Sequence, residues 1–317
     1  MTAPSNLNCI LLNASGAAYN IAPGTCTYDA SNDTNYSPHV PYTNGPQPAC
    51  GGPFYINAAT VGQCPFGIVV AFRGTLPPST KDPDSWLDWL QDFFAVPVSV
   101  PSGPNKLPGQ VHSGFFNATA SIIQKVQTLV SGYSPGPDNP VYVTGHSKGG
   151  PMASMGAYIL SQNLDVPNIQ PLVTFASPRP GDPGFRAGFE AVFPQTRYEN
   201  YDDLVPLVPP SLDFIHALLN KPELFFTPTG QRLLHMLKSA EDWNYVPVGT
   251  MLFVTKTFQV IANEDVALQT ADVALEFVED LVKRDFSSFG DAHSLLPGKG
   301  YNCGVCGVKV GPAPGGG

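Results

Sequence analysis

Ser147 stands in Gly145-His146-Ser147-Lys148-Gly149, with a glycine two positions away on each side. That spacing suits a nucleophile carried on a sharp strand-to-helix turn. The glycines let neighbouring backbone approach, and the N-terminus of the following helix favours developing negative charge. A serine hydroxyl is a weak nucleophile until a base takes its proton, so the motif asks for a histidine and an acid elsewhere. It also asks for N–H donors facing an oxyanion, one of them from the residue after the serine, Lys148. A phosphate-binding loop would need a glycine-then-Lys-Ser order that is absent here.

Six histidines compete for the base. His146 is inside the motif and sterically misplaced. His39 lies in the N-terminal loops, and His112 precedes the serine. His216 and His235 fall in apolar, helical-looking stretches. In the order Ser, acid, His, His293 is preferred, within Asp291-Ala-His-Ser-Leu295, and His235 is its rival. For the acid, Asp202 and Asp203 both follow a strand expected to end near Tyr201.

The elements that must hold these groups alternate. Strands are expected at 66–72, 141–144, 171–176, 197–201 and 250–254, and helices at 112–132, 151–160, 185–193 and 262–285. Alternation of this kind predicts an α/β fold, a mostly parallel central sheet with helices on both faces. One domain is expected over 1–317. Its parts are a loop-dominated, disulfide-rich N-terminal cap at 1–64, a helical insertion at 211–240 and a flexible tail at 310–317.

Four segments, Phe72-Arg73-Gly74-Thr75, Val111-His112-Ser113-Gly114-Phe115, the Ser147 motif and Asp203-Leu-Val-Pro-Leu-Val-Pro-Pro210, together resemble the filamentous-fungal class 3 lipases. The resemblance implies an α/β-hydrolase fold and a Ser–Asp–His triad acting on carboxylic esters. It selects Asp203 over Asp202, because the family's acid directly precedes the apolar-Val-Pro segment. It implies a structural role for His112 and makes Thr75 an oxyanion-hole donor beside the Lys148 N–H. A lid is implied at 76–94, where Trp86, Leu87 and Leu90 are candidate substrate contacts. Lys148 departs from the family, which usually carries an apolar residue there. Other esters, such as feruloyl, carotenoid or short-chain esters, are served by the same triad. A lipase-like binding protein without catalysis would require a broken triad, and none is visible.

Composition narrows the partners. Charged residues are 13% and the net charge is −9, which disfavours nucleic acid and anionic membranes. No apolar run approaches membrane-spanning length. Cysteines 9, 26, 50, 64, 303 and 306 lie towards the two ends, and sequons stand at Asn13, Asn32, Asn35 and Asn117. Both favour a secreted, extracellular glycoprotein with disulfides, at least one bridging the N- and C-terminal regions. Cys303-Gly-Val-Cys306 lacks a second pair to make a zinc site, so no metal or other cofactor is expected. The expected partner is an ester or lipid, presented at an oil–water interface. The N-terminus carries no signal-peptide pattern, so a mature form is expected.

Overall fold

Ile68, Val70 and Phe72 belong to one buried cluster, and the intervening Val69 and Ala71 to another. An uninterrupted apolar run therefore becomes a strand covered on both faces, as central strands of parallel sheets require. The computed structural model describes residues 3–36, 39–75, 93–162, 166–262 and 287–307.

The strands of the main sheet are β1 (Gln47–Gly51), β2 (Asn57–Cys64), β3 (Gly67–Phe72), β4 (Val141–His146), β5 (Leu172–Phe175), β6 (Gln195–Asn200), β7 (Thr250–Val254) and β8 (Val260–Ala262). They lie side by side in chain order. β3 to β7 are mutually parallel; β1, β2 and β8 pair antiparallel. The fold class is thus the one the alternation predicts.

The helices are α1 (Leu7–Ala17), α2 (Ser113–Ala120), α3 (Ile123–Gly132), α4 (Gly149–Ser161), α5 (Pro183–Glu190), α6 (Leu212–Leu219), α7 (Pro228–Ser239), α8 (Ser287–Ala292) and α9 (Gly300–Cys306). Residues of α2 to α7 join the cluster on the Ile68 face, and residues of α1 and α9 the cluster on the Val69 face.

The N-terminal 64 residues differ from the expected loop-dominated cap. α1 is buried along nearly its whole length, with Leu11 and Leu12 inaccessible. Burying each such leucine stabilises by roughly 1.5–3 kcal/mol. β1 and β2 extend the sheet itself. Asn13 points into this core, so the folded chain cannot present that sequon; Asn32, Asn35 and Asn117 are exposed.

Disulfides join Cys9 to Cys306 and Cys26 to Cys50. The first is the expected bridge between the two ends. Cys64 and Cys303 are buried free thiols. Burial pushes the Cys64 thiol up to about 12, away from reactivity.

In 211–240 the expected helical pair is present as α6 and α7. Its Ile215, Leu218, Leu233 and Leu237 complete the core below the sheet. Of the helix expected at 262–285, Ala262 instead ends β8 and the rest lies outside the described residues, as do the tail at 310–317 and 76–92 of the expected lid with Trp86, Leu87 and Leu90. Among the described residues, no helix is long and apolar enough to cross a membrane.

Candidate active site

β4 delivers the chain to Ser147, and α4 leaves from it. Ser147 has φ of 57°, a left-handed conformation that costs a non-glycine residue energy. Neighbours impose it. The Ser147 N–H donates to Phe175 O at 3.0 Å, and the Gly150 N–H donates to Ser147 O at 2.8 Å. A Cβ at Gly145 would meet Gly149 O at 2.1 Å, and one at Gly149 would meet Phe72 O at 2.1 Å. Both glycines of the motif are therefore steric requirements of the turn.

β3 ends beside this turn. A Cβ at Gly74 would fall 2.8 Å from Ser147 Cβ and 2.2 Å from the Tyr19 hydroxyl. Thr75 is the residue that follows this close approach. Thr75 and Lys148 share the wall of one cavity of about 640 Å³.

β6 ends just before Asp203, whose carboxylate is buried and accepts from several donors. His293 Nδ1–H donates to it, 2.9 Å from Oδ2 and 3.1 Å from Oδ1. The Tyr301 hydroxyl donates to Oδ2 at 2.7 Å, and the Val205 N–H to Oδ1 at 3.0 Å. Charge-assisted bonds of this kind offset the desolvation of a buried carboxylate. With its Nδ1 proton held by Asp203, His293 keeps Nε2 as the basic nitrogen.

His293 is fixed from behind. Its carbonyl accepts from His146 Nε2–H at 2.8 Å, and the Ala292 carbonyl accepts from Asn200 Nδ2 at 2.9 Å. The two imidazoles lie 4.4 Å apart between centroids, so residue 293 sits against the residue preceding the serine. His146 accepts at Nδ1 from the Tyr19 hydroxyl at 2.8 Å. Burial, then the adjacent His293, holds His146 well below the ordinary histidine range. It is a neutral strut. Ser147 Oγ is buried and has no hydrogen-bond partner among the described residues.

The structure thus gathers Ser147, Asp203, His293, Thr75 and Lys148, and separates the rivals. His216 and His235 are exposed on α6 and α7. His112 caps α2, its Nδ1 accepting from the Phe115 N–H and its Nε2–H donating to Phe93 O. Tyr19 and Tyr301 went unread in the sequence. Tyr301 is 98 positions from its partner, and no local spacing signals such a contact.

Residues 69–212 match the class 3 lipase family. The chain resembles the fungal class 3 lipases. The Rhizomucor miehei lipase is 33% identical over 47% of this chain and 40% of that protein. A secreted mono- and diacylglycerol lipase 3 of Gibberella zeae is 27% identical over 57% of this chain and 53% of that protein. The chain therefore spans about half, or less, of the length of these curated relatives. The solved R. miehei lipase–propeptide complex superposes with a TM-score of 0.55 at 22% identity, covering 87% of this chain and 78% of that one. That likeness shows the α/β-hydrolase fold.

Proposed function

We propose that this chain is a serine carboxylic-ester hydrolase, a lipase cleaving acylglycerol or related lipid esters. The observation that carries the reading is the buried His293–Asp203 pair set against the residue preceding a left-handed serine.

His293 Nε2 takes the Ser147 proton as Oγ attacks the ester carbonyl. Asp203 keeps the imidazole in that tautomer and stabilises its charged form. The N–H groups of Thr75 and Lys148 receive the negative charge that builds on the carbonyl oxygen. Collapse of the tetrahedral species expels the alcohol, which takes the proton from His293. Water, deprotonated by the same nitrogen, then releases the acid and restores Ser147. A hydrogen bond between Ser147 and His293 forms when substrate binds, since catalytic hydrogen bonds are often long or poorly aligned without it.

Two disulfides support folding in an oxidising compartment, and hence secretion. The named relatives include a secreted lipase, which supports the same reading.

Organophosphate labelling tests the assignment. Wild-type protein forms one adduct, at Ser147, and loses hydrolysis of short-chain triacylglycerol in proportion. Ser147→Ala takes no label and hydrolyses nothing. Labelling elsewhere, or hydrolysis persisting in Ser147→Ala, would falsify the assignment.

A further inference from the structure

Phe54, Tyr55 and Ile56 are consecutive large apolar residues at the surface, 84%, 44% and 50% exposed. Burial is the ordinary fate of such side chains. Here the backbone keeps them out. Phe54 and Tyr55 have φ of 50° and 55°, a left-handed conformation that bulky residues avoid. Such a conformation persists only where the surroundings impose it. The Phe54 carbonyl accepts from the Gly24 N–H at 2.7 Å. The buried Arg73 guanidinium donates through Nη2 to Tyr55 O at 3.2 Å and Ile56 O at 2.8 Å, and through Nη1 to Ile21 O at 2.6 Å. The Cys26–Cys50 disulfide ties the segment after Gly24 to the strand that leads into this loop. The turn is thus clamped by its carbonyls while its side chains stay in water.

The loop stands at the catalytic cavity. Pro53 and Ile56 line the same space as Thr75 and Lys148. Asn57, the next residue, accepts from the Lys148 ammonium at 3.1 Å through Oδ1. No aspartate, glutamate, lysine or arginine occurs between Asp33 and Arg73, in a chain of net charge −9. A rigid apolar projection in an uncharged stretch, beside the cavity of a nucleophile, fits a partner that is apolar inside and uncharged outside.

We propose that the 53–56 loop is a fixed wedge that inserts Phe54 and Tyr55 into an uncharged lipid surface and holds the catalytic cavity against it. That the contact delivers substrate rests on the ester-hydrolase reading above; the contact itself does not. Phenylalanine loses only water on insertion, and tyrosine can keep its hydroxyl among the headgroups. Anionic lipid is disfavoured, because a loop without lysine or arginine offers nothing to offset repulsion of a chain of net charge −9. A second copy of the chain suits the loop less well. Three side chains fall far short of the roughly 20–30 residues a side that a stable protein interface takes.

The double change Phe54→Asn, Tyr55→Asn tests this. Asparagine tolerates positive φ, so the turn is kept while its apolar surface is lost. Neither residue lines the cavity. Partition onto vesicles of ether-linked phosphatidylcholine, which an esterase cannot cleave, is read by co-sedimentation. Hydrolysis of monomeric para-nitrophenyl butyrate is read alongside. Wild type is expected to bind the vesicles. The double variant is expected to bind about tenfold or more weakly, as the loss of buried rings implies, with butyrate hydrolysis unchanged. Phe54→Trp should be quenched by brominated acyl chains, and added phosphatidylglycerol should weaken wild-type binding at low salt. Equal partition of the double variant and wild type, or no quenching in Phe54→Trp, overturns the wedge. Binding that rises with phosphatidylglycerol overturns the choice of an uncharged surface. Self-association of wild type that the double change abolishes, without vesicle binding, makes the loop a contact between copies instead. Wild type inert towards butyrate overturns the ester-hydrolase reading, and the partition data then decide the wedge by themselves.

Discussion

The Tyr301 hydroxyl donates to the Asp203 carboxylate at 2.7 Å while accepting the Asn200 N–H at 3.0 Å. The phenol is completely buried, and burial followed by the nearby Asp203 charge raises its pKa well above the ordinary value. It is held in its protonated, donating form. α9 therefore supports the site without touching substrate.

Tyr301→Phe removes that donor and little volume. The expected result is a fall in kcat of roughly three- to thirtyfold with KM nearly unchanged, and about 1–2 kcal/mol of lost stability. Steady-state kinetics on a soluble ester, with denaturant melts alongside, checks it. Lost stability with kcat intact would reduce Tyr301 to packing.

Gly74→Ala addresses the approach of β3 to the serine. The added methyl would fall 2.7 Å from His146 O and 2.8 Å from Ser147 Cβ. The segment carrying Thr75 must retreat, taking its N–H away from the position proposed for the oxyanion. A loss of about 10²–10³ in kcat is expected, as for removal of one oxyanion donor, with secondary structure retained. Circular dichroism and kcat together decide it, since near-normal kcat means that the wall yields elsewhere.

His112 makes stability depend on acid. Burial lowers its pKa to about 4 from the ordinary 6.5, and its Nδ1 must stay unprotonated to cap α2. The unfolded chain takes the proton first as pH falls. The contribution is full above pH 6.5 and is lost progressively towards pH 4, amounting to roughly 3 kcal/mol. His146 acts in the same direction. Tm should drop across this window, and His112→Gln should flatten the drop while lowering Tm at neutral pH. An equal slope in the variant would refute the assignment to His112.

Removing the Cys9–Cys306 bridge by the double change Cys9→Ser, Cys306→Ser reopens a loop of very long span. The expected cost is roughly 3–5 kcal/mol, with kcat falling as α9 loosens its hold on Asp203. Thermal melts and kcat for oxidised, reduced and double-serine protein check this. A reduced form as stable and as fast as the oxidised one would contradict it.

Much of the arrangement was legible because it repeats locally. β3, β4 and β7 are short apolar runs, and the Ser147 turn announces itself by its two glycines. The choice of His293 rested on chain order, and that of Asp203 over Asp202 on the resemblance to the class 3 lipases. α1 escaped because burial around most of its surface leaves no polar stripe to mark a helix. β1 and β2 escaped because Ala49, Ala58, Ala59 and Gly62 have little strand preference of their own; Gly62 instead lies against the Tyr42 ring. Tyr19, Tyr301 and the Lys148–Asn57 contact are made by tertiary folding, which no spacing along the chain encodes.

The Cys9–Cys306 bond also determines where mechanical tension can travel. The two Cα atoms are 4.9 Å apart across a sequence separation of 297. A pull exerted through segments outside this pair passes along one covalent link and bypasses the sheet, the serine turn and the His293–Asp203 pair. In the oxidised molecule, tension applied through those segments therefore does not reach the site. Once the bond is reduced, the same pull acts directly on α1 and on α9, the helix that carries Tyr301.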